Sequence, residues 1–372
     1  MNPYIIEDLL YSTNFTVQKM QVTAVEEFNH DEWDARLKKA SGGPFLSVPW
    51  LESFRDSQCS PFYFRFVSGN DTVGLAAGLR FAPPHPFLKK IFKKLFLFSG
   101  PVFLQSSPEL EKTCIAKLYE YAVKGKFTHL EIRAYDYPHP LEFGKLPFIK
   151  EKKEEYILDL RRDWPEIEKN MRKNIVQQVK FAQKKGLSFH ESDYPQMMID
   201  KLLGLLAQTQ ERRLSKGYEK YASLYMPHIR KKILYRLFDN KIGRLFFVRA
   251  GDKIISISYI AAYNHKSYAL LIGSTKQAYA LRAPTFNWFN MIKKLKDEGF
   301  DYLNLGGVPE DSSREKMVFA KTSYGAKQIM CAGVKTPHLN GSFFNLMNNI
   351  YTKLPDAKIK KAIAKLLSGR SG

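Results

Sequence analysis

Cations and glycines carry most of the chemistry this chain could perform. The strand Asp301–Leu305 ends in Gly306-Gly307, where missing side chains let the backbone come close to a ligand, and Asn304 is a polar residue beside them. Lys321 follows in the pattern Lys321-x-x-Tyr324-Gly325, a flexible cation beyond the Gly-Gly bend. Four more lysines, Lys89, Lys90, Lys93 and Lys94, recur with period four, and Ile91, Phe92, Leu95 and Phe96 form the complementary apolar set. That is the layout of a basic amphipathic helix, suited to an anionic membrane where each exposed lysine contributes about 1 kcal/mol. Other chemistries find no support. Cys59, Cys114 and Cys331 are far apart and show no CxxC or Cys/His ligand spacing, so neither a disulfide framework nor a metal site is expected. The eight histidines form no HxxxH and no Ser/His/Asp arrangement, and there is no P-loop.

The elements that must position these residues belong to a chain of 372 residues with a formal charge of +21. At roughly 150 residues per domain, two domains are expected. A hydrophobic share of 44% with 14% aromatics is enough for packed cores and excludes wholesale disorder. The excess of Lys and Arg calls for an anionic partner: a nucleic acid, a phosphorylated metabolite or a membrane surface. The N-terminal stretch carries acids where a signal peptide needs a basic region, and no run approaches the roughly 18 apolar residues of a membrane span. A cytoplasmic protein is expected, with peripheral contact at the inner face of the membrane.

Periodicity divides the chain into two similar halves. The first reads as helices over His30–Ala40 and Val48–Asp56, a hairpin of Pro61–Ser68 with Thr72–Phe81, the basic helix Leu88–Phe98, a helix over Pro108–Gly125, and strands His129–Ala134 and Tyr156–Leu160. The second reads as a long helix Pro165–Lys185, a strand Leu187–His190, helices Met197–Leu214 and Tyr221–Phe238, and a hairpin of Arg244–Ala250 with Lys253–Tyr263. Strand Tyr268–Gly273, helix Pro284–Gly299 and strand Asp301–Leu305 complete it. Both halves run helix, helix, hairpin, then strand–helix–strand, which predicts tandem copies of one α/β (α+β) module. The expected bounds are 1–160 for the first module, with an insertion near 86–98, 161–335 for the second, and 336–372 for a tail whose segment Asp356–Leu367 is again basic and amphipathic.

Ile272–Gly325 is the most informative block: Gly273-Ser274 after a strand, Ala283-Pro284 opening a helix, the Gly306-Gly307 strand end, and Lys321-x-x-Tyr324-Gly325. With Thr209-Gln210-Glu211-Arg212, the basic stretch Arg172–Gly186, Pro49-Trp50 and Gly100-Pro101-Val102, it resembles the Fem-type aminoacyltransferases, the peptidoglycan bridge-forming branch of the GNAT superfamily. The resemblance covers roughly Thr23–Lys335. It implies tandem GNAT-like modules, each a mixed sheet flanked by helices, with a substrate groove between them. The implied reaction moves an amino acid from aminoacyl-tRNA to an amine of a nucleotide- or lipid-linked peptidoglycan precursor, without metal, cofactor or covalent enzyme intermediate.

By the same resemblance, Lys321 lies near the reacting carbonyl and phosphates, Tyr324 hydrogen-bonds substrate, Arg212 clamps phosphates, and Gly306, Gly307 and Asn304 line the groove. Simpler roles stay open: Arg212 and its neighbour Arg213 also fit the polar face of a helix, and Tyr324 beside Gly325 also fits packing. Two departures bear on the acceptor. Ala320 stands where the family usually has an aromatic residue, and Phe54 where it often has a phosphate-binding lysine, leaving Arg55 as the neighbouring cation. Two alternatives remain. One is an acyl-CoA-dependent N-acyltransferase acting on an amino sugar, against which the absence of glycine in Gln277–Ala283 counts. The other is a non-enzymatic basic module that binds RNA or membrane.

Overall fold

The structure, a computed structural model, describes residues 22–27, 29–83, 93–215, 217–218, 226–311 and 313–339. Its first part comprises β1 (Val22–Glu26), α1 (His30–Lys39), α2 (Val48–Glu52), β2 (Cys59–Ser68), β3 (Asp71–Phe81), β4 (Lys94–Leu97), β5 (Val102–Phe103), α3 (Pro108–Lys124), β6 (His129–Ile132) and β7 (Ile149–Asp159). There follow α4 (Trp164–Asn170), α5 (Lys173–Lys184), β8 (Leu187–Glu191), α6 (Pro195–Leu214), α7 (Lys231–Asp239), β9 (Gly243–Ala250), β10 (Lys253–Tyr263) and β11 (Lys266–Ser274). The last are α8 (Lys276–Ala280), α9 (Ala283–Asp297), β12 (Tyr302–Asn304), α10 (Arg314–Thr322) and β13 (Lys327–Lys335).

All thirteen strands join one mixed sheet in the order β1-β2-β3-β4-β6-β13-β7-β12-β11-β10-β9-β8, with β5 beside β3. Among the described residues only two neighbouring strand pairs are parallel, β4 with β6 and β11 with β12. They are separated by three antiparallel steps, β6–β13, β13–β7 and β7–β12. An odd number of reversals makes the two parallel pairs run in opposite directions, so their carboxyl ends open at opposite edges of the sheet. The expected mixed α/β class with flanking helices is what the chain adopts, but where a mixed sheet was expected in each module, one continuous sheet runs through both halves.

Side-chain alternation assigns the cores to faces. In β3, Leu75, Ala77 and Leu79 join one cluster with Trp33, Trp50, Leu205 and Leu237, placing α1, α2, α6 and α7 on one face. Ala76 faces the opposite way, onto Leu110, Cys114 and Leu118 of α3. In the second half Ile255 and Ile260 meet Ile175 of α5 and Phe286 and Ile292 of α9 on that opposite face. Trp33, Trp50, Phe45, Phe96 and Phe98 are wholly enclosed, each such ring contributing about 2–3 kcal/mol by burial. Close backbone approach also shapes the first half. A Cβ on Gly78 would lie 2.3 Å from the Phe96 carbonyl oxygen. Gly78→Ala should therefore cost about 3 kcal/mol in urea unfolding, because strand β4 has to move.

Four of the departures from the expected elements change which side chains are exposed or brought together. Leu88–Phe98 is not one helix: Lys94–Leu97 is strand β4, and Lys89 and Lys90 lie outside the described residues. Leu95, Phe96, Leu97 and Phe98 are all buried, which an inner strand covered on both faces demands and a one-sided helix forbids. Lys93 and Lys94 therefore form no exposed membrane-facing row. Lys94 pairs with the buried Glu131 across β6, and the Lys93 ammonium donates to the Gly125 carbonyl at 3.3 Å. Second, Pro165–Lys185 is broken at Met171–Arg172, where the chain turns extended and the Arg172 N–H donates to the Ser323 carbonyl at 2.9 Å. Third, of the expected helix Tyr221–Phe238 the described part begins with turn and coil from Met226 to Arg230, α7 starts at Lys231, and residues 221–225 lie outside the described residues. Fourth, α10 and β13 carry no signal that the periodicity separated from loop. The tail segment Asp356–Leu367 lies outside the described residues.

Candidate active site

Strands β11 and β12 pair only over Lys266–Tyr268 with Tyr302–Asn304. Beyond that, β11 continues to Ser274 bonded on its β10 side, while the chain leaving β12 bends at Gly306, whose φ of 71° lies in the left-handed region. The two parallel strands thus separate at their carboxyl ends, the place where open sheets receive ligands. Further along β11, Gly273 lies under α6. A Cβ there would sit 2.8 Å from the Leu205 Cβ, so glycine lets α6 lie directly on β11.

Lys321 reaches this point from the last turn of α10. Its ammonium donates to the carbonyl of Leu305 and, at 3.0 Å, to that of Gly306. Several contacts fix α10 in that position. Arg213 on α6 donates to Asp311 at 2.8 Å and to Ser313 at 3.1 Å. Arg314 pairs with Glu154 at 2.7 Å, and the Arg172 guanidinium covers Phe319 at 4.1 Å. Burial lowers the Lys321 pKa from 10.5 to about 8, against the opposing pull of the Glu155 charge. Lys321 is therefore a cation at neutral pH that sits close to its titration point.

Behind the bend lies a buried polar network. The Gly306 N–H donates to Asn304 Oδ1 at 2.8 Å, and Asn304 Nδ2 donates to Glu155 at 2.9 Å and to Asp136 at 3.0 Å. Glu155 also accepts from the Tyr268 hydroxyl at 3.0 Å, the Asp136 N–H at 2.9 Å and Lys153 at 3.3 Å. Asp136 accepts from the Tyr302 hydroxyl at 2.6 Å, and burial raises its pKa against these hydrogen bonds. A fully hydrogen-bonded network of this kind fixes a backbone bend more firmly than packing alone.

Of the residues singled out in the sequence, Lys321, Gly306 and Asn304 meet at one point, with Gly307 next in the chain. The others lie elsewhere. Arg212 rests its guanidinium on the Tyr279 ring at 4.3 Å and donates to the Tyr279 hydroxyl at 3.1 Å. Tyr324 is buried against Trp288 in the core behind the sheet, and burial pushes its hydroxyl pKa up. Arg55 is exposed and paired with Glu52 at 2.5 Å, on the segment after α2. Glu155 and Asp136 escaped the sequence reading. Glu155 sits in the run Glu151–Glu155, which looks like a solvated strand face. Asp136 did have a signal: an acid four residues past the carboxyl end of a strand paired in parallel. Among the described residues no group of three or more His, Cys, Asp or Glu side chains is placed to hold a metal, and no helix is long and apolar enough to cross a membrane. The three cysteines are free and buried.

Residues 169–316 match the family model described as an acetyltransferase (GNAT) domain. Among solved structures, the crystal structure of FemX superposes with a TM-score of 0.66 at 14% identity, covering 88% of this chain and 99% of FemX. The structure of L-PGS from Bacillus licheniformis gives a TM-score of 0.48 at 16% identity, covering 85% of this chain and 93% of its own. A tandem GNAT protein from the clavulanic acid biosynthesis pathway gives 0.43 at 10% identity, covering 85% and 98%. No curated protein sequence matches. The chain thus shares its fold with FemX, and its residues 169–316 match a GNAT acetyltransferase domain.

Proposed function

We propose that this acyltransferase moves an aminoacyl group from aminoacyl-tRNA to an amine of a nucleotide- or lipid-linked cell-wall precursor. The observation that carries the reading is the Lys321 ammonium on the Leu305 and Gly306 carbonyls, at the mouth of the cleft between β11 and β12. In the reaction a neutral amine attacks the ester carbonyl. A C–N bond forms, the C–O bond to the tRNA ribose breaks, and the amine's proton leaves with the released hydroxyl. Negative charge grows on the carbonyl oxygen during attack, and a preorganised, partly desolvated cation stabilises it more than water does. The groove holds both reactants, so binding supplies alignment. The +21 charge supports a phosphate-rich donor, and we take the working location to be the cytoplasm at the inner membrane face. We take residues 1–160 and 161–335 as the two modules and 336–372 as the tail.

The alternative donor is acyl-CoA. The stretch that would cradle its pyrophosphate forms α8, in which the Ala278 N–H is already bonded to the Thr275 hydroxyl at 3.1 Å. That supports aminoacyl-tRNA. Purified protein should transfer radiolabelled glycine, alanine or serine from charged tRNA to a lipid II-type acceptor. Turnover of an acyl-CoA with no transfer from any charged tRNA pool would reverse the order of the two donors.

A further inference from the structure

The other parallel pair, β4 and β6, opens at the opposite edge of the sheet, and the residues following both strands wall a second cavity of about 250 Å³. Ser99, Val102 and Phe103 come from the chain after β4, and Asp136 from the chain after β6. The turn from Ala40 to Leu46 forms a further wall, and Lys266 enters from the start of β11. This volume is below that of a site for drug-sized molecules and suits a smaller ligand.

Two opposite charges face this space without neutralising each other. Asp136 is held by the Tyr302 hydroxyl on Oδ2 and by Asn304 on Oδ1, and the Lys266 ammonium donates to the Ser41 carbonyl. Among the described residues neither takes part in an ion pair, although Lys266 lies near enough to lower the Asp136 pKa. Gly43 lies between them. A Cβ at this position would be 2.8 Å from Asp136 Oδ2 and 3.8 Å from Lys266 Cδ, so glycine keeps the wall open where the two charges come closest. Each carboxylate oxygen retains a free lone pair and the ammonium retains further protons. The rest of the lining combines apolar Phe45, Leu46, Val102 and Phe103 with polar Ser99, Ser106 and His139.

We propose that this cavity binds a free α-amino acid with a small apolar side chain, its ammonium on Asp136, its carboxylate on Lys266 and its side chain against Phe45, Val102 and Phe103. The site is separate from the Lys321 cleft and does not depend on the transferase reading. It still communicates with that cleft, because Asp136 shares Asn304 with the Gly306 N–H.

Calorimetric titration of the full chain with L-alanine, L-valine and L-leucine, up to about 10 mM each, tests the proposal, since a small ligand with two charge-assisted contacts binds in the micromolar to millimolar range. At least one amino acid should bind, whereas isobutylamine and isovalerate, each carrying half of the charge pair, should not. Lys266→Gln leaves the Tyr302–Asp136–Asn304 bonds in place and should weaken binding by about tenfold or more without changing the melting temperature. Asp136→Asn should weaken it similarly. Absence of binding by all three amino acids, binding of the amine alone with equal affinity, or binding unchanged in Lys266→Gln would each overturn the proposal. The last result would place the ligand elsewhere, including the Lys321 cleft.

Discussion

Lys321→Met should lose about 10²–10³-fold in transfer rate, the loss expected when one preorganised charge-stabilising donor is removed, while melting at least as high as the parent protein at pH 7. The two effects have one cause. Burial depresses the Lys321 pKa from 10.5 to about 8, so the folded protein is penalised for holding this cation. Below pH 8 the penalty is present in full, about 3 kcal/mol at 1.36 kcal/mol per pH unit. Between pH 8 and 10.5 the unfolded chain binds more protons than the folded one. Stability attributable to this residue therefore rises with pH across that window and is complete above 10.5. Urea unfolding of both proteins at pH 7, 9 and 10.5 should show the difference moving in favour of the parent as pH increases. Parallel curves would mean that the ammonium is not desolvated. The same titration sets the activity: with Lys321 acting as a cation, transfer should fall as pH rises through about 8. A rate that keeps rising would instead indicate a neutral lysine acting as base.

Glu155→Ala should destabilise the protein by about 3–5 kcal/mol in chemical denaturation, which makes Glu155 the most sensitive polar position near the cleft. Removing this carboxylate leaves Lys153, the Tyr268 hydroxyl, the Asn304 amide and the Asp136 N–H without their shared acceptor in a buried place. A single deletion thus takes one acceptor away from four donors, one of them charged. It also removes the anion that holds the Lys321 pKa up, so the falling limb of the pH–rate profile should shift below 8 in whatever folded protein survives. A loss below about 1 kcal/mol, the size expected for one exposed hydrogen bond, would show that water reaches the network.

Much of this site could be read from the sequence because the relevant signals are local. A glycine pair ending an apolar strand, an asparagine two positions before it and a lysine one short helix later all fall within eighteen consecutive residues, Asn304 to Lys321. Hairpins and amphipathic helices were legible for the same reason, since period-two and period-3.6 patterns need no distant partner. What escaped depends on pairing across the chain. Strand β13 matches Lys327 with Ile157 and Lys335 with Ile149, partners that no local pattern can name. Glu155 becomes a buried anchor only because that pairing and the β12 pairing enclose β7 on both edges. The short strand Lys94–Leu97 went wrong for a related reason: four consecutive buried residues carry no alternation, and the lysines before them completed a helical period by chance.

The place of β13 also sets an order of events during synthesis. Strand β6 meets β4 on one edge but finds its other neighbour only in β13, and β7 must wait for both β12 and β13. A ribosome making this chain therefore exposes open strand edges in the amino-terminal half until nearly the whole sequence through Lys335 has left the tunnel. Such long-range closure is slow, and unpaired edges are where nascent chains associate wrongly. The last strand works as a keystone: until it is inserted, neither half has a finished sheet, and truncation before it yields two incomplete arches.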